Sequence, residues 1–162
     1  MTGDEHMASD RKVPEWVDRL GLARHPEGGW FAETWRSHIV LPRSVLPKAY
    51  SGDRAAGTAI HFVLMPGEES AWHTVVGAEL WFHHRGSPVV LDIAGDGDEP
   101  GVVETTILGS DIIAGQAPQA LVAPGHWQRA RPRDDEPALV SCVVVPGFDF
   151  ADFRLERDPD TP

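Results

Sequence analysis

The sequence predicts a single all-β domain, a sandwich or barrel of antiparallel sheet. Three observations carry that expectation. The chain holds 16 Gly and 14 Pro beside a hydrophobic fraction of 41% over 162 residues, a composition of short apolar runs parted by many turns. Those runs recur at strand length from Trp30 to Val145, with breaks such as Pro66-Gly67 between them. Only one segment has helical periodicity: Val13, Trp16, Val17 and Leu20 share a face, with Ser9 or Asp10 as the cap and Gly21 as the stop. A chain of this size buries roughly two-thirds of its unfolded surface around one core. No repeat or linker divides it, so residues 11–155 are expected to form one domain between flexible ends, 1–10 and 156–162.

Taken in order, Trp30-Phe-Ala-Glu-Thr-Trp-Arg36 has strand composition after the breaker-rich turn His25-Pro-Glu-Gly-Gly29, and 41–57 reads as a long loop or flap. Strands are then expected over 58–65, 70–76, 79–84, 89–93, 102–108, 119–123, 127–130 and 139–145. The acidic stretch Gly95-Asp-Gly-Asp-Glu-Pro-Gly101 lacks an EF-hand's ligand spacing and reads as an exposed hairpin loop.

Charge narrows the function classes. Fourteen basic residues face 25 acidic ones, a formal net charge of −11, with no Lys/Arg cluster. Nucleic acid and anionic membrane are therefore excluded as expected partners. The one cysteine, Cys142, lies in the apolar run 138–146 and is expected to be a buried, inert core residue. No run reaches the length of a membrane span and the first ten residues have no secretory core, so a cytoplasmic protein is expected.

The chemistry-bearing stretch runs from Trp72 to Gly86 and is answered by Gly115 to Gln128. Strand alternation puts Glu79, Trp81 and His83 on one face, with Leu80, Phe82 and His84 on the other. If Glu79 turns inward, the interior gains Trp81 and His83. A buried carboxylate beside imidazoles needs a partner, and a divalent cation, a proton shared with His73 or a polar ligand each meets the need.

The order His73, Val75, Glu79, Gly86, followed by Gly115 through Pro124-Gly125 to Gln128, resembles the two motifs of the cupin superfamily. That resemblance implies a double-stranded β-helix (jelly-roll) barrel in which three His and one Glu hold a metal. His73 and Glu79 match the first motif's histidine and glutamate, Val75 stands at its second histidine, and Gln128 stands at the histidine of the second motif. A narrower resemblance covers 20–153. His25-Pro-Glu-Gly-Gly-Trp30, Glu33-Thr-Trp-Arg-Ser37, Ser70-Ala-Trp-His73, Glu79-Leu-Trp81, Pro118-Gln119, Pro124-Gly-His-Trp-Gln128 and Pro146-Gly-Phe-Asp-Phe150 are similar, in order, to a family of small single-domain cupins of unknown function (cupin family five). It implies a homodimer with a polar pocket, and His61 stands where that family carries tyrosine.

Three functions are compatible with this pattern. The first is an enzyme moving a proton on a small polar metabolite, isomerase- or epimerase-like or a related lyase or cyclase. In it His73 is base or acid, Glu79 orients it, and His61, Trp81, His83, Gln119 and Gln128 bind substrate. The second is a metal-dependent dioxygenase or hydrolase-like cupin holding one divalent ion through His73, Glu79, Gln128 and His61. The third is a small-ligand binding protein without turnover. Glu33 and Arg36 are expected as an ion pair near the barrel mouth or a dimer contact.

Overall fold

The computed structural model describes residues 13–156. The expected flexible segment 1–10, the caps Ser9 and Asp10, and residues 157–162 of the expected tail lie outside the described residues. The helix is shorter than its periodicity suggested. It is one turn, Glu15–Asp18 (α1), because Pro14 takes the N-cap position with an extended ψ of 142° and starts it late. Gly21, at φ 63°, marks the stop. Of the four apolar positions only Val17 is buried, and Trp16 lies under the Arg85 guanidinium at 4.9 Å.

The described strands are β1 (Ala23–Arg24), β2 (Trp30–Arg36), β3 (Val40–Leu41), β4 (Arg54–Ala55), β5 (Thr58–Leu64), β6 (His73–Val75), β7 (Ala78–Gly86), β8 (Val89–Ile93), β9 (Glu104–Leu108), β10 (Gln119–Val122), β11 (Gln128–Pro132), β12 (Ala138–Val145) and β13 (Phe153–Leu155). They form a sheet ordered β1-β2-β5-β12-β7-β10, facing a second ordered β13-β6-β11-β8-β9, with β3 and β4 paired apart. All the strand pairings are antiparallel. No described helix is long and apolar enough to cross a membrane.

Burial alternates cleanly along β12, where Ala138, Val140, Cys142 and Val144 turn inward. With Phe62, Leu64 and Trp81 from the flanking strands β5 and β7, and Leu91 and Leu108 from the facing sheet, Ala138, Val140 and Cys142 fill the barrel, and Phe62 meets Trp81 edge to face at 5.9 Å between ring centroids. Burial of side chains of this size contributes roughly 1.5–3 kcal/mol each. The packing plugs one end of the barrel and leaves the other for a cavity.

The segment 41–57 is fastened rather than an open flap. β3 pairs with β4, and Arg54 makes a buried two-point ion pair with Asp152, at 2.7 and 2.8 Å. That pair joins the segment to the 3-10 turn Phe150–Asp152, which leads into β13. On its outer face the first sheet carries a cross-strand row, Trp35, Ala59, Val143, Leu80 and Leu121, in which Trp35 and Leu121 are 51% and 58% exposed.

Candidate active site

The cavity begins with a turn. His25 to Gly29 closes through Gly28 N–H to the His25 carbonyl and His25 N–H to the Gly29 carbonyl, both 3.0 Å. Gly28 has φ 101° and Gly29 φ 76°. A Cβ on Gly28 would sit 2.8 Å from the Glu69 carbonyl oxygen, and one on Gly29 2.8 Å from the Phe62 ring. Only glycine fits both demands. The turn is fixed to the chain entering β6 by Ala71 N–H on the Glu27 carbonyl at 2.6 Å, and this aims the Glu27 side chain into the barrel. Gly28→Ala is expected to destabilise the protein by about 1–3 kcal/mol, seen as a lower urea midpoint with an unchanged slope.

His73, at the start of β6, receives that carboxylate. Its Nε2 lies 2.7 Å from Glu27 Oε2, with the two side chains 2% and 8% exposed, and its Nδ1 lies 2.8 Å from the Ala71 carbonyl. Both neighbours are acceptors, so both ring nitrogens donate and the ring is an imidazolium. Burial opposes that charge, but the Glu27 carboxylate, helped by Glu79 and the Ala71 carbonyl, outweighs it and holds His73 at about 9.

Glu79, on β7 in the opposite sheet, has different partners. Gln128 is fully buried on β11, and its amide Nε2 donates to Glu79 Oε2 at 2.6 Å while its Oε1 accepts Trp81 Nε1–H at 2.9 Å. Because the indole nitrogen only donates, it fixes the amide's orientation and presents an N–H to Glu79. The Cys142 thiol adds a second hydrogen bond, and burial pushes that thiol well above its ordinary range. Burial, with the Glu27 charge added to it, lifts Glu79 to about 7 against the pull of the His73 cation and the two hydrogen bonds.

Glu27, His73, Glu79 and Cys142 lie at the floor of a cavity of about 240 Å³ between the two sheets. Its walls are aromatic: Phe31 of β2 and Phe148, Phe150 and Phe153 of the closing segment. His25 packs edge-on against Phe31 at 4.8 Å and Phe153 at 5.7 Å. Its Nδ1 accepts the Glu27 backbone N–H at 3.2 Å, and burial lowers its pKa, so the ring is neutral near pH 7. At the mouth Arg36 grips Glu33 with two hydrogen bonds, 2.8 and 3.0 Å, and donates to the Phe148 carbonyl. The expected ion pair is therefore present and borders the cavity.

The other expected site residues are distributed differently. His73 and Glu79 share the cavity, but the acid on His73 is Glu27, which the sequence reading passed over. Gln128 and Trp81 stand behind Glu79 and outside the cavity lining. His61 is a correction. On β5 it is Thr58 and Ile60 that line the cavity, so alternation turns His61 outward, where its ring lies 6.4 Å from that of His84. Gln119 is a second correction: it pairs with Phe82 on the outer face of the sheet and is exposed. His83 lies further along β7, next to a register shift, with its Nε2 3.0 Å from the Ser87 carbonyl and no part in the cavity lining.

This donor set does not fit a resident divalent cation. Both His73 nitrogens and the Gln128 amide are committed to protein partners, Val75 and the outward His61 add no ligand, and no buried described side-chain N or O lacks a hydrogen-bond partner. Among the described residues no group of three or more His, Cys, Asp or Glu is arranged to hold a metal.

Comparison with known proteins follows the same outline. The family model described as Cupin superfamily (DUF985) matches residues 14–156. This chain belongs to that family. The uncharacterized protein YML079W of Saccharomyces cerevisiae is 29% identical over 158 residues, covering 91% of this chain and 77% of the yeast protein. A solved structure of a hypothetical protein from Leishmania major superposes with a TM-score of 0.76 at 28% identity, over 87% of this chain and 85% of its own. One from Shewanella oneidensis superposes with a TM-score of 0.74 at 32% identity, over 87% and 82%. Likenesses to other cupin and double-stranded β-helix proteins, at 16–19% identity, show the fold alone. The barrel expected from the motifs is thus the barrel of this DUF985 cupin.

Proposed function

We propose that this cupin is an enzyme that moves a proton on a small polar metabolite bound between its two sheets, an isomerase- or epimerase-like reaction with Glu79 as the group that carries the proton. One observation supports this above the rest: a carboxyl group on the cavity floor, poised at about 7, beside an imidazolium that stays charged across the same pH range. A general base works best when its pKa lies near the operating pH. The ionised Glu79 takes a proton from carbon next to a substrate carbonyl. The enediolate-like anion so formed faces the His73 cation, and Glu79 returns the proton from the same side. It goes to the neighbouring carbon once the hydroxyl proton has passed from one substrate oxygen to the other, or to the opposite face of the original carbon once the intermediate has turned over in the cavity. Compared with the expectation from sequence, the roles are exchanged: Glu79 moves the proton, and His73, held by Glu27, supplies charge.

The test is exchange of carbon-bound hydrogen for deuterium in D₂O across a panel of small hydroxy- and amino-carbonyl compounds, read by proton NMR. Exchange is expected with the native protein, rising with pH through about 7, lost in Glu79→Gln and unchanged in His61→Ala. Saturable binding without exchange anywhere in the panel would instead make the protein a carrier. Stoichiometric iron, manganese, nickel or zinc that vanishes in both His73→Ala and Glu79→Ala would overturn the metal-free scheme.

We further propose a twofold dimer that covers the exposed row from Trp35 to Leu121. Light scattering is expected to give the mass of two chains, and that of one chain for Leu121→Asp.

A further inference from the structure

We propose that the cavity takes a small planar molecule carrying a protonated amine, its ring held among the phenylalanines and its cation directed at the carboxylates of the floor and mouth. The inference rests on the cavity being the reaction site and adds the chemical class of what enters it.

Charge is the first argument. Four carboxyl groups line the cavity, Glu27, Glu33, Glu79 and Asp149, against two cations, His73 and Arg36. Glu27 occupies His73, and Glu33 occupies the Nε–Nη2 edge of the Arg36 guanidinium, whose other edge faces the Phe148 carbonyl. Asp149 acts on the same guanidinium, so the mouth holds two acids for one base. Whichever state Glu79 is in, acids outnumber bases, and His25 is uncharged. The chain as a whole carries −11, so the long-range field has the same sign and draws cations inward. An anionic ligand would have to strip Arg36 from Glu33 and sit beside Asp149 with no free cation to receive it.

The walls supply the second argument, independent of the first. Three phenylalanines come from one short segment, with Phe148 and Phe150 edge to face at 4.9 Å and Phe153 6.2 Å from each. Phe150 is 53% exposed, a large apolar ring left open at the mouth. The segment is fastened at several points: Phe148 N–H on Thr58 Oγ1 at 2.9 Å, the Phe148 carbonyl under Arg36, and Asp152 clamped by Arg54. The rings are therefore a preformed wall. Aromatic faces attract both a stacked ring and a cation, the latter by about 0.5–2 kcal/mol. A volume of about 240 Å³ falls below the ~300–1,000 Å³ of pockets for drug-sized ligands, which suits a single ring with short substituents.

The experiment compares benzylamine, benzyl alcohol and benzoate, one ring with three head groups, by calorimetric titration and thermal shift on the full-length protein and on Glu33→Gln. Glu33 lies at the exposed mouth, so its replacement leaves the core intact. Benzylamine is expected to bind on the order of tenfold more tightly than benzyl alcohol, with no saturable binding of benzoate. Glu33→Gln frees Arg36, and is expected to narrow the amine preference and admit benzoate. Preference for benzoate in the native protein, equal affinity for all three, or no binding of any would each overturn the inference. Deuterium exchange that still depends on Glu79 in such a case would leave the proton-transfer reading standing, so the two failures are distinguishable.

Discussion

Glu27→Gln is expected to lower stability by on the order of 3 kcal/mol below neutral pH, and by progressively less as pH rises through about 9. The native His73 ring is charged although its side chain is only 2% exposed, and what keeps it charged is Glu27. Its folded pKa of about 9 lies above the ordinary 6.5. The stabilisation is therefore complete below about 6.5 and is lost as pH rises through about 9. In the variant burial prevails, and the ring titrates below 6.5. It keeps its Nδ1 proton on the Ala71 carbonyl and gives up the one on Nε2, which then accepts an N–H from the new amide. The variant consequently loses further ground on acidification, where the buried ring has to be recharged. Urea unfolding of both proteins at acidic, neutral and alkaline pH, together with NMR titration of the His73 ring, checks this. A stability difference that does not change with pH would mean that the pair carries no net charge interaction.

That ion pair also marks the limit of what the chain discloses as a string. The fold was legible: β2 and β8 span the expected residues, and seven further expected strands appear within a few residues of their places. β2 and β8 are bounded by turn residues whose conformations are local, as is the stop at Gly21. Half of the site was legible too, since His73 and Glu79 are named by motif spacing alone. Glu27 was not, because within the sequence it is one residue of a tight turn. Its partner is far along the chain, and only the packing of β6 against that turn brings them together. The adjacent Gly28-Gly29 was the available signal, as two glycines side by side beside a His and a Glu announce a backbone forced to deliver something. His61 and Gln119 fail for another reason. Alternation tells which residues of a strand share a face, not which face is inside, and the answer lies in the partner rows Ile60–Glu33 and Gln119–Phe82. His83 shows the third limit: correct parity places a side chain on the inner face of a strand without saying how far along the barrel the open space extends.

Glu79→Gln is expected to have the opposite effect on stability and the larger effect on chemistry. Here too the folded pKa is raised, from 4.5 to about 7, but the charged form of a carboxyl group is the deprotonated one. Between those values the native state holds a proton that the unfolded chain has released, so stability falls as pH rises, by about 1.4 kcal/mol per unit while both conditions hold. Above about 7 the protein carries a buried, ionised carboxylate that burial disfavours. Glutamine at this position still accepts the Gln128 N–H through its carbonyl and has nothing to ionise. The variant is thus expected to be the more stable protein above neutral pH, on the order of 3 kcal/mol, the attraction to His73 being already contained in the folded pKa. Its stability should no longer carry the fall that begins at about 4.5. His25 and His84, whose pKa values burial lowers, give both proteins the same rise with pH up to about 6.5, and the fall due to His73 follows at higher pH. Urea midpoints of both proteins across that range decide the matter: parallel curves would show that Glu79 titrates as an ordinary carboxyl group and remove the basis for assigning it the proton. A substitution that strengthens the fold while abolishing deuterium exchange would locate the cost of the buried acid in the reaction it performs, since a group kept against its own contribution to stability is one retained for chemistry.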